Sequence, residues 1–172
     1  MSTERSTSNL LLPLRATQIV LAIIILGLTG YVANALTDSY AGIVFEAPGN
    51  VSFNVFNSVW TILVGAFLLI VPLRFAGSKV NHHFGALALD ALTAIFWFAG
   101  FIALAVWTNR WHTAGGFIVT GRIYNCAAAA SVFAAIEWLL FTATTVLSGL
   151  HSNRSRGSIT KSNTAATPAA TV

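Results

Sequence analysis

Charge is the scarcest property of this chain. Of its 172 residues only 14 are Asp, Glu, Lys or Arg, about 8%, against 56% apolar residues. A water-soluble domain carries roughly 25% charged residues to solvate its surface, so the deficit excludes one and places the chain in a membrane. Cysteine is nearly absent too. Cys126 stands alone, which rules out an internal disulfide, a Cys-x-x-Cys redox pair and a cysteine zinc site, and leaves cysteine usage silent on the compartment. A span of 172 residues holds one folding unit, with no room beside it for a soluble catalytic domain. Acidic residues number 5 against 9 basic ones. In a soluble protein that excess would suggest nucleic acid as a partner. Here the charges fall between hydrophobic runs, where they bear on membrane orientation, and nucleic acid is set aside.

What the chain has is long apolar runs. About 20 helical residues at 1.5 Å each cross roughly 30 Å of hydrocarbon, and four stretches are long enough. The uncharged run between Arg15 and Asp38 predicts a first span over about 14–36, with Pro13 near its first turn. The run between Glu46 and Arg74 predicts a second over about 51–73. The third, about 84–107, contains Asp90, and the fourth, about 123–150, contains Glu137. One acid at a helix centre lowers insertion by about 2.5–3.5 kcal/mol, which the surrounding apolar residues offset. The runs lack the alternation of an outer-membrane barrel, and open sheet edges find no partners in lipid. The expected fold is an all-α integral membrane protein, a four-helix antiparallel transmembrane bundle over 13–150.

With four spans both termini share a side. That side collects Arg5, Arg15, Arg74, Lys79, Arg154, Arg156 and Lys161, seven cations against Arg110 and Arg122 opposite. The bias predicts cytoplasmic termini, with segments 37–50 and 108–122 facing outward as short connections. Residues 1–12 form a polar cytoplasmic segment, and 151–172, rich in Ser, Thr, Ala and Asn, reads as a disordered cytoplasmic tail. Ala33-Asn34-Ala35 has the form of a signal-peptidase site. The apolar run before it is longer than the usual core of 7–15 residues, which favours an uncleaved anchor.

Asp90 and Glu137 are the candidates for chemistry, because an ionisable group within a span is a functional hypothesis by default. Asp90 lies toward the cytoplasmic end of its helix and Glu137 near the middle of its own, about 10 Å apart along the membrane normal, so they do not form a dyad. Each reads either as a neutral carboxyl hydrogen-bonded within the bundle or as a proton or cation site. Lys79 and His83 are the cations expected within reach of Asp90. His82, His83, His112 and His151 all fall at span ends or in connections, which supplies no haem pair and no zinc site; no metal and no cofactor is expected. Small-xxx-small spacings, such as Ala99 with Ala103 and Ala130 with Ala134, suit close helix packing. Tyr31, Tyr40, Trp107, Trp111 and Tyr124 suit interfacial anchors, while the deeper Trp60, Trp97 and Trp138 fill space between helices or line a lipid groove. Arg154, Arg156 and Lys161 make a weak tether to anionic lipid that phosphate on Ser155 or Ser158 would cancel. The sequon Asn50-Val51-Ser52 abuts the second span, too close to the membrane for glycosylation.

The third run, Leu89-Asp90-Ala91-Leu92-Thr93-Ala94-Ile95-Phe96-Trp97-Phe98-Ala99-Gly100-Phe101, resembles the third helix of fungal MARVEL-domain proteins, and Glu137-Trp138-Leu139-Leu140 resembles their fourth. The resemblance covers about 13–150 and implies a four-span fold without catalysis. It implies a membrane-organising or vesicle-trafficking scaffold, similar to the fungal non-classical-export group in associating with eisosomes and with plasma-membrane domains rich in sterol and sphingolipid. Lipids, other membrane proteins or further copies of the chain are the implied partners, and Thr93, Trp97, Gly100, Phe101 and Trp138 form the implied lipid or helix-packing face. The alternative is a small proton-linked transporter or channel that uses Glu137 and Asp90.

Overall fold

The computed structural model describes residues 2–37, 48–74, 81–113 and 121–165, with side chains over 12–37, 48–70, 85–110 and 121–150. Four helices make up the fold: α1 (Ser2–Thr37), α2 (Gly49–Arg74), α3 (Asn81–Thr113) and α4 (Gly121–Ala165). Each contains a stretch long and apolar enough to cross a bilayer, Leu12–Thr37, Gly49–Ile70, Gly85–Arg110 and Gly121–Leu150. No strand occurs among the described residues.

Helix boundaries differ from the sequence expectation at both ends of the chain. α1 begins at Ser2, so Pro13 lies inside the helix, where its ring removes one i→i−4 hydrogen bond. α4 continues to Ala165, where the sequence predicts disorder from residue 151; one glycine and no proline interrupt that stretch before Pro168. α2 starts at Gly49, with the N–H groups of Val51 and Ser52 donating to the Pro48 carbonyl at 2.9 and 3.1 Å.

The helices form a ring in which α1 touches α2 and α4, and α3 touches the same two, leaving α1/α3 and α2/α4 as diagonals. Neighbours run antiparallel: Asn50, Asn54 and Asn57 on α2 meet Ala103, Gly100 and Phe96 on α3 in falling order. The start of α1 and the end of α4 therefore lie at one end of the bundle.

Buried positions alternate by four and three along the helices. On α4 they are Ile123, Ala127, Ala130, Ala134, Glu137, Phe141 and Thr144; on α1, Gln18, Ala22, Ile25, Thr29 and Val32. That 3.5-residue period is the seam of a left-handed bundle with knobs-into-holes packing. The seam mixes apolar side chains such as Ile25, Trp97, Leu104 and Phe141 with polar ones that a soluble bundle would keep outside. Asn54, Asn57, Ser58, Asp90, Thr93 and Glu137 are fully buried, while Leu63 and Ile95 stand 63% and 62% exposed. In lipid an outward leucine loses nothing, and small or polar residues that let helices approach and hydrogen-bond hold the inside. Gly65 is one such point, where a Cβ would come within 2.8 Å of Cγ1 of Ile19 on α1.

Candidate functional site

Asp90 sits one turn into the α3 span and is fully buried. Its partner is Arg15, which reaches across the α1/α3 diagonal as a two-pronged fork. Nη1 donates to Oδ1 at 3.1 Å and Nη2 to Oδ2 at 2.9 Å. The Arg15 side chain is itself only 12% exposed, so this is a desolvated pair whose geometry must be good to offset what both ions lose in leaving water. The cation differs from the Lys79 or His83 expected from sequence. Lys79 and the side chain of His83 lie outside the described residues. The signal that identifies Arg15 is periodicity, because Arg15, Gln18 and Ala22 recur on the buried face of α1.

Glu137 is buried without such a partner. Neither Oε1 nor Oε2 accepts a hydrogen bond, and the carboxyl approaches the α1 backbone at Ala22 without reaching bonding geometry. Two turns toward the terminus end, Gln18 Nε2 donates to Thr144 Oγ1 at 3.5 Å. Asp90 and Glu137 thus engage different surroundings and exchange no hydrogen bond.

A third polar group, unforeseen from the sequence, runs along α2. Asn50, Asn54, Asn57 and Thr61 recur at helical spacing and knit α2 to α3. The Asn side chains donate to the carbonyls of Ala103, Gly100 and Phe96 at 3.4, 3.1 and 3.0 Å. Trp60 Nε1 donates from α2 to Thr93 Oγ1 at 3.1 Å, and in the return direction Trp97 Nε1 on α3 donates to Thr61 Oγ1 at 2.9 Å. Gly100 makes room for this seam: a Cβ there would lie 2.8 Å from both Asn54 Oδ1 and Asn57 Nδ2. The Asn50 side chain of the sequon is thereby part of a helix contact.

The face formed by Thr93, Trp97, Gly100, Phe101 and Trp138 is divided by the fold. Thr93, Trp97 and Gly100 turn inward toward α2, whereas Phe101 and Trp138 join Phe98 in an aromatic cluster on the α3/α4 surface, with centroids 5.3–5.6 Å apart. Below that cluster lies an apolar groove of about 350 Å³ between α3 and α4, lined by Ala91, Ala94, Phe98, Trp138, Thr142 and Thr145 among others. A second aromatic strip, Phe53, Phe56 and Trp60 with Phe96, covers the outside of the α2/α3 seam. Among the described residues no three His, Cys, Asp or Glu side chains converge as metal ligands. The side chains of Ser155 and Ser158 lie outside the described ones.

The family described as MARVEL, a membrane-associating domain, matches residues 8–147. The chain belongs to the MARVEL family. No curated protein and no solved structure matches it. The MARVEL match takes in α1 from before Pro13, the whole of α2 and α3, and α4 to beyond Thr144. Both the Arg15–Asp90 pair and the α2/α3 seam therefore lie inside the MARVEL domain. Four spans without strands are the architecture of that domain, and the chain is an integral membrane protein on these grounds.

Proposed function

We propose that this MARVEL-domain protein is a non-enzymatic organiser of membrane, a lateral-domain or vesicle-trafficking scaffold that works through its lipid-facing surface. The observation that carries this reading is how the interior polar groups are used. Asp90 is taken up by Arg15, Gln18 by Thr144, and Asn54, Asn57, Trp60 and Trp97 by contacts between α2 and α3. Such groups hold a bundle together and leave little to line a pathway. The large apolar side chains, among them Phe56, Leu63, Phe67 and Ile95, face outward to lipid or to other membrane proteins. Cytoplasmic termini follow from the distribution of Lys and Arg. The plasma membrane or secretory vesicles, with sterol- or sphingolipid-rich surroundings, are the setting that the likeness to fungal non-classical-export proteins supports.

One feature favours a second reading. Glu137, buried with both oxygens unpartnered, is the acid a proton-linked transporter would use, and it would act without Asp90. Reconstituted vesicles loaded with a pH-sensitive dye separate the two. The organising reading expects the same proton permeability in wild type, Glu137→Gln and protein-free vesicles, together with a tagged protein confined to membrane domains in cells. A proton flux lost in Glu137→Gln would overturn it.

A further inference from the structure

We propose that the α3/α4 groove holds an acyl chain of a membrane phospholipid from the leaflet at the terminus end of the bundle. The assignment rests on the organising role and names a lipid contact for it. Depth is the first argument. The groove lies wholly within the spans Gly85–Arg110 and Gly121–Leu150, so the medium at its mouth is hydrocarbon. Phe98 and Trp138 stand close to the middle of those spans, with centroids 5.3 Å apart, and they close the groove at the bilayer midplane. From Phe98 the groove runs toward the terminus end as far as Ala91, a rise of about 10 Å at 1.5 Å per residue. The hydrocarbon half-thickness of a bilayer is about 15 Å. The groove thus spans most of one leaflet and stops where an acyl chain stops.

Lining chemistry is the second argument. Ala91 and Ala94 are the smallest lining residues, set beside Ile95, Phe98 and Val146, so the surface dips between α3 and α4 as an open, shallow trough. Its hydroxyls are occupied: Thr142 donates to the Trp138 carbonyl at 2.8 Å and Thr145 to the Phe141 carbonyl at 2.7 Å. The lining therefore offers no free hydroxyl toward the head groups, and Trp138, its one other donor-bearing residue, stands at the midplane end, so the stretch between suits plain hydrocarbon. A transmembrane helix of a second copy would need to continue past the midplane, where Phe98 and Trp138 stand in its way. A fused-ring lipid keeps its hydroxyl at headgroup level, beyond the two threonines.

The test uses the full chain in phosphatidylcholine vesicles that contain a phosphatidylcholine with a diazirine near the methyl end of one acyl chain, with adducts mapped after illumination. Adducts on Ala94, Phe98, Trp138 and Thr142 should exceed those around Leu63, an equally lipid-facing residue outside the groove, by roughly fivefold, the ratio that a preference of about 1 kcal/mol gives. Ala94→Phe fills the trough and should bring groove labelling down to the Leu63 level while Leu63 labelling stays constant. Thr142→Leu, a milder filling, should give a partial loss should Ala94→Phe not fold. Equal labelling at both places, a diazirine sterol that outlabels the phospholipid in the groove, or groove labelling that falls as the protein-to-lipid ratio rises while Leu63 labelling holds, as a second copy in the groove would cause, would each overturn the assignment. Domain confinement in cells is scored separately. Confinement that survives loss of the adduct counts against the organising role of this groove and leaves the acyl chain in place.

Discussion

The two buried acids are held in opposite ways and should respond oppositely to neutralisation. Asp90 shares two hydrogen bonds with Arg15, so Asp90→Ala leaves a guanidinium in a site only 12% exposed. Removing one member of such a pair is destabilising by about 3–5 kcal/mol, and replacing both with apolar residues recovers most of it. Unfolding of detergent-solubilised Asp90→Ala, Arg15→Met and the double variant should show this as a double-mutant cycle with strong coupling. Glu137→Gln removes no hydrogen bond, because the carboxyl oxygens make none, and should match or exceed the wild type in the same measurement. A loss as large as that of Asp90→Ala would mean that Glu137 has a partner. Glycines divide in the same manner. Gly100→Ala drives a methyl to 2.8 Å from two asparagine side chains and should be destabilising by about 1–3 kcal/mol, as overpacking is. Gly27→Ala meets nothing within 4 Å and should be neutral or slightly stabilising, since alanine favours a helix.

Elements show what the sequence made legible and what it hid. Span number was readable because lipid demands some twenty apolar residues in a row, and that demand acts on composition alone. The inward face of each span was not, because outward Leu63 and Ile95 are as apolar as inward Ile25 and Leu104, and an apolar stripe cannot be read against an apolar background. What sets the interior apart is its small and polar residues, and the spacing of Asn50, Asn54, Asn57 and Thr61 along α2 was the mark of them. Arg15 was hidden by its position, since a cation at a span end ordinarily reports orientation. The α2/α3 seam should be robust to single changes. Intramembrane hydrogen bonds average about 0.6 kcal/mol in measured cycles, and Asn57 spends its amide on a helix carbonyl while its own oxygen stays unpaired. Asn57→Ala should therefore lower stability by less than about 1 kcal/mol in the same unfolding assay, a small fraction of the effect of Asp90→Ala.

For the whole molecule, four antiparallel spans bring the start of α1 and the end of α4 to one end of the bundle. Tags at residues 1 and 172 should be protected together or exposed together in intact cells, and both should be masked until the plasma membrane is permeabilised if the termini are cytoplasmic. Opposite accessibility would exclude a bundle of four spans. Limited proteolysis of oriented vesicles gives the same information without tags.

The diagonal between α1 and α3 also bears on how the protein is made. Arg15 belongs to the first helical hairpin and Asp90 to the second, so each half of the chain enters the membrane with a charge that the other half neutralises in the finished bundle. An early intermediate therefore carries an exposed polar mark that vanishes on docking. Chaperones and degradation machinery that patrol the bilayer are given a chemical means of telling an unfinished bundle from a finished one, and two separately expressed halves are given a reason to find each other.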